Sequence, residues 1–100
     1  MTMINYRRTG GAMGREVALD IDLDTIPGDA AQRLHGLLTT SNFFEISDTA
    51  NLMTRPDEYE YTITVVAGNS MHTLRVTDST MPESLRPLVD ELTELARAAT

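Results

Sequence analysis

One hundred residues suffice for one folded domain and are too few for two ordinary ones. A hydrophobic fraction of 41% supports a real core, and with two Phe, three Tyr and no Trp that core is aliphatic. A net charge of −7 repels phosphate backbones and anionic membranes, so neither nucleic acid nor a membrane is an expected partner. The same charge favours solubility and suits a basic partner surface.

The absence of cysteine excludes disulfides, thiol catalysis and cysteine-ligated zinc. No run approaches the roughly 18 apolar residues of a membrane span. Met1 to Arg8 lacks the apolar stretch of a secretory signal, so a cytoplasmic location is the expectation. All eight basic residues are Arg, which suggests a GC-rich bacterial coding sequence.

In chain order, Met3 to Arg8 reads as a first strand. Thr9 to Gly14 holds three glycines and reads as a hairpin loop, because glycine accepts the positive φ of tight turns. Val17, Leu19 and Ile21 alternate with polar or small residues, the period of a half-buried second strand. Asp24 to Asp29 opens a helix with Pro27 near its first turn. Ala30, Leu34, Leu37 and Leu38 form its apolar stripe, and Ser41-Asn42 ends it. Phe43 and Phe44 follow, and both rings are expected to anchor the helix exit in the core.

Ser47 to Glu58 is polar, non-periodic and about twelve residues long, a length that marks functional or disordered loops. Tyr59, Tyr61, Ile63 and Val65 then alternate as a third strand. Gly68-Asn69 turns the chain into a fourth strand carrying His72, Leu74 and Val76. Thr80-Met81-Pro82-Glu83 fits a capping box. The helical spacing of Leu85, Leu88, Val89, Leu92, Leu95 and Ala96 follows, with a loose first turn expected before Pro87. The order ββαββα predicts an α+β fold: one four-stranded antiparallel sheet with both helices on one face, over residues 1–100.

Candidate chemistry is sparse. Asp20, Asp22 and Asp24 have the alternate spacing of a calcium loop. Thr25 stands where that loop needs glycine and Ala31 where it needs glutamate, so a solvated strand face is the better reading. His35 and His72 match no zinc spacing, and a packed, hydrogen-bonded role suits each. No G-x-S-x-G nucleophile motif occurs, and Gly10, Gly11 and Gly14 are not spaced for a dinucleotide. No catalytic residue, cofactor or metal site is expected. Two apolar points on loops suit protein recognition instead: Ala12-Met13 at the glycine hairpin and Leu52-Met53 in the long polar segment.

One further pattern covers nearly the whole chain. It begins with Arg7-Arg8, Thr9-Gly10-Gly11-Ala12-Met13-Gly14 and Asp24-Thr25-Ile26-Pro27. Asn42-Phe43-Phe44, Asp57-Glu58-Tyr59-Glu60-Tyr61-Thr62-Ile63 and Met71-His72-Thr73 continue it, and Pro82-Glu83-Ser84-Leu85-Arg86-Pro87-Leu88 ends it. In that order these segments resemble the emfourin family, small inhibitors of thermolysin-like zinc metallopeptidases such as protealysin.

The resemblance implies a noncovalent inhibitor without catalysis of its own. In that reading Met13, Leu52 or Met53 fills the peptidase pocket for a large apolar residue. Asp57 or a backbone carbonyl approaches the zinc, and Gly10, Gly11 and Ala12 complete the contact. The alternative is an interaction or structural domain with an unrelated partner, monomeric or weakly homodimeric, with the last strand pair or the first strand as its pairing edge. A metal-dependent or enzymatic role built on His72 and nearby carboxylates would need a pocket that gathers them.

Overall fold

The computed structural model describes residues 2–10, 16–46 and 58–99. Strands β1 (Thr2–Gly10) and β2 (Val17–Asp22) precede helix α1 (Gly28–Ser41) and a 3-10 turn at Phe43–Glu45. Strands β3 (Tyr59–Ala67) and β4 (Ser70–Thr77) and helix α2 (Arg86–Ala99) complete the chain. All neighbours in the sheet are antiparallel, and the strand order is β2-β1-β3-β4. The ββαββα order and the α+β class agree with the sequence reading.

Alternation decides which face is covered. Ile4 and Tyr6 of β1, Ile21 of β2, Tyr61, Ile63 and Val65 of β3, and Leu74 and Val76 of β4 all point to one side and are buried. Leu34 and Leu38 of α1 and Leu88, Val89, Leu92 and Ala96 of α2 close over them in a single cluster. The residues between them line the opposite, open face. There a register row sets Met3 beside Val66 and Val66 beside Met71, and all three are exposed. Among the described residues no helix is long and apolar enough to cross a membrane.

The first strand, which the sequence offers as a pairing edge, is interior: β1 lies between β2 and β3. It buries Tyr6 completely and bonds on both sides, so the open edges are β2 and β4.

Helix α1 ends on Asn42, whose φ of 55° is left-handed and whose N–H reaches the carbonyls of Leu38 and Thr39. Asparagine tolerates that conformation better than most residues, so the stop is local. The expectation for the two phenylalanines holds for one. Phe43 is wholly buried, whereas Phe44 is 43% exposed. In a 3-10 turn successive residues point about 120° apart, so adjacent rings cannot both face inward.

The capping box is also corrected. The Thr80 hydroxyl accepts the N–H of Thr77 at 2.8 Å, and the Thr80 N–H donates to the Thr77 carbonyl. Thr80 therefore closes the turn after β4 and does not cap α2. Bonds from the N–H of Leu85 to the Pro82 carbonyl and from Arg86 to Glu83 form the loose first turn. The α-helical pattern begins with Val89 N–H donating to the Leu85 carbonyl, 3.1 Å away.

Candidate functional site

Gly10 is the last residue of β1 and pairs with Tyr59, the first residue of β3. Its φ is +87°, and a Cβ there would stand 2.8 Å from the Glu58 carbonyl oxygen. The strand that leads into the glycine segment and the strand that leaves the long polar segment thus touch, backbone to backbone, at one end of the sheet.

Two carboxylates fasten this end. Glu58 is buried, and its Oε1 accepts the Ser79 N–H at 2.7 Å. Asp78 answers from the other side: its Oδ2 accepts the Tyr59 N–H at 3.1 Å and its Oδ1 accepts the Tyr61 hydroxyl at 2.8 Å. Each carboxylate bonds to the backbone of the segment that carries the other. Hydrogen bonds to charged acceptors are the stronger kind, so this reciprocal pair pins the start of β3 to the turn after β4. Arg86 adds a longer bond, 3.4 Å, to the Asp78 carbonyl.

Three tyrosines floor the same end. Tyr6 stacks on Tyr61 with centroids 6.5 Å apart, and Tyr59 lies 6.3 Å from Tyr61. The Arg8 guanidinium sits 4.2 Å above the Tyr59 ring, within cation–π range. Tyr6 reaches α2 through a 2.6 Å contact between its hydroxyl and that of Thr93. Burial pushes the Tyr61 phenol well above its ordinary range, and the bond to anionic Asp78 pushes it the same way. Burial also raises the Tyr6 phenol, against the opposing effect of its Thr93 bond. Both phenols therefore remain protonated and serve as fixed hydrogen-bonding groups.

Of the residues expected to contact a partner, Gly10 is at this end. Gly11, Ala12, Met13, Leu52, Met53 and Asp57 lie outside the described residues. The residues that organise the end, Arg8, Glu58, Tyr61 and Asp78, escape the sequence reading. Their partners are 17 to 21 residues away for the two carboxylates, and no short motif encodes such pairs. A late signal does exist: Asp78-Ser79-Thr80 directly after a strand is a cluster of residues that bond backbone groups.

The other candidates are spread out. His72 Nε2 lies 2.8 Å from the Ile46 carbonyl, and its ring meets Phe43 edge-on. His35 is exposed on α1. Asp20 accepts a bond from the Asn5 amide on the open face, and Asp22 Oδ1 accepts the Asp24 N–H at 2.9 Å. Among the described residues no three His, Cys, Asp or Glu side chains converge as a metal site would require.

The arrangement sets the ends of β1 and β3 side by side on a base held by two carboxylates. No curated protein and no solved structure matches the chain. The Emfourin family model matches residues 6–93, from the buried tyrosine of β1 to its hydroxyl partner Thr93 on α2. The chain belongs to the emfourin family, and that membership points to a role as a metallopeptidase inhibitor.

Proposed function

We propose that the protein is a noncovalent inhibitor of a thermolysin-like zinc metallopeptidase, and that it acts by obstructing the substrate cleft. Family membership over residues 6–93 carries this reading. The geometry supports it: Gly10 and Glu58 stand side by side at one end of the sheet, so the segments they border start from a common base. A base held by the Glu58–Ser79 and Asp78–Tyr59 bonds loses little conformational freedom on docking, which favours affinity.

In this proposal Met13, Leu52 or Met53 enters the apolar pocket that accepts the residue after the scissile bond. Asp57 or a backbone carbonyl faces the zinc, and Gly10, Gly11 and Ala12 let the backbone approach the cleft closely. Alanine at the true anchor should raise the inhibition constant by about 30-fold, the equivalent of about 2 kcal/mol at an interface hot spot. The test is the inhibition constant of each of Met13→Ala, Leu52→Ala and Met53→Ala against a thermolysin-like peptidase. Three unchanged constants would remove this contact scheme.

A further inference from the structure

A second surface lies on the opposite side of the sheet from β4. Strand β2 is an edge. Antiparallel ladders alternate bonded and non-bonded pairs, and the Leu23 N–H donates to the Thr2 carbonyl at 2.9 Å. Counting back in twos, Val17, Leu19 and Ile21 bond inward to β1, and Ala18, Asp20 and Asp22 turn their backbone groups outward. The Asp22 carbonyl already accepts the N–H and the hydroxyl of Thr25, both at 3.0 Å. The N–H and C=O of Ala18 and Asp20 and the N–H of Asp22 are left, and no hydrogen bond from another described residue reaches them.

A groove runs along this edge. Its volume is about 420 Å³, and the four consecutive residues Leu19 to Asp22 all line it. Successive strand residues point to opposite faces, so only a groove against the strand's edge meets all four. Its far wall is Ile26 and Ala30, and Leu95 of α2 closes the helix side. The volume falls in the ~300–1,000 Å³ range of ligand sites.

The two sides of the groove differ in chemistry. Leu19 and Ile21 face the helices and offer apolar surface. Asp20 and Asp22 face the open side of the sheet, and neither meets a cation among the described residues.

We infer that the β2 edge docks an extended segment of another protein as a fifth strand, and that this segment alternates bulky apolar residues with Lys or Arg. The backbone of Ala18 and Asp20 supplies the ladder, the groove takes an apolar side chain, and the carboxylates of Asp20 and Asp22 take the basic ones. Such strand addition gains affinity from main-chain bonds and specificity from alternate side chains. A second copy of the chain fits badly. Antiparallel β2–β2 pairing would bring the two acidic strands together, in molecules that each carry a net charge of −7. This site is separate from the Gly10–Glu58 end and does not depend on peptidase inhibition.

The test uses ¹⁵N-labelled protein and the blocked peptide acetyl-Lys-Val-Arg-Leu-Lys-amide, with acetyl-Glu-Val-Glu-Leu-Glu-amide as its control. The basic peptide should shift the amide resonances of Ala18 to Asp22, Ile26, Ala30 and Leu95 and slow hydrogen exchange at Ala18 and Asp20. The acidic peptide should leave them in place. Asp20→Lys, which reverses the charge, should weaken binding about tenfold or more. Ala30→Phe should fill the groove and do the same while peptidase inhibition and the other resonances stay as they were. The inference is overturned by any of three results: no shift at β2 with peptide at about 1 mM, equal binding of the acidic peptide, or shifts centred on Met3, Val66 and Met71. Concentration-dependent shifts at β2 without peptide would also overturn it, because a second copy would then be the occupant.

Discussion

Replacing glycine by alanine at three positions should give three different results, because the backbone sets each differently. At Gly10 the φ of +87° is one that an L-residue adopts at a cost of about 1–2 kcal/mol. A Cβ there also meets the Glu58 carbonyl oxygen at 2.8 Å. That oxygen belongs to backbone held by the carboxylate pair, so it cannot swing aside as a side chain would. Local strain of this kind adds about 1–3 kcal/mol, for a total near 3 kcal/mol. At about 4–8 °C per kcal/mol in a domain of this size, Gly10→Ala should lower Tm by roughly 10–25 °C.

Gly68 has a φ of +60° but nothing within 4 Å, so alanine there should cost only about 1–2 kcal/mol. Gly36 is exposed inside α1 with open space around it, and alanine there should stabilise by about 0.5–1 kcal/mol. Thermal melts by circular dichroism, with urea titrations for the free energies, read all three. A Gly10→Ala protein that melts at or above the parent temperature would refute the close stem contact. So would one that loses less than Gly68→Ala.

Other positions test the packing and the polar pair. Tyr61→Phe leaves Asp78 without its phenolic donor and should cost about 1–3 kcal/mol in urea denaturation at neutral pH. The Tyr61 and Tyr6 phenols are raised in the folded state, so their contribution is complete below the unfolded tyrosine value of about 10 and is lost as pH rises toward the folded one. The urea midpoint should therefore fall above about pH 10, and less steeply in Tyr61→Phe; a parent midpoint flat across that range would contradict the burial of these groups. Leu92→Ala, in the core face of α2, should cost about 2–5 kcal/mol, and a smaller loss would mean that the helix packs less closely than described. Arg33→Ala breaks the 3.2 Å ion pair with Glu91, but the Arg33 side chain is 60% exposed, so stability should change by less than about 1 kcal/mol.

Much of the fold was legible because burial imposes a period. Val17, Leu19 and Ile21, or Tyr61, Ile63 and Val65, identify a strand and its inner face without any partner. The strand order was not legible. A period of two reports which side of a strand is buried and says nothing about its neighbours, so β1 reads as a possible edge while it lies inside the sheet. Phe43 and Phe44 show the same limit at shorter range, since hydrophobicity marks both and the geometry of the turn admits one.

The candidate site is legible only by composition. The glycine run and the long polar segment read as recognition loops, and Gly11 to Gly14 and residues 47–57 lie outside the described residues. The bonds that hold their bordering residues do not appear in local pattern, because Glu58 meets Ser79 and Tyr6 meets Thr93 only after the sheet and α2 have assembled. The Arg8–Tyr59 contact likewise depends on the β1–β3 register.

Inhibition is read directly from peptide hydrolysis by a thermolysin-like peptidase titrated with this protein. Activity should fall linearly to completion near one equivalent, and mass spectrometry should find the protein uncleaved. Full activity of the cognate peptidase at excess protein would contradict inhibition, as would loss of activity accompanied by progressive cleavage of the chain, the behaviour of a competing substrate.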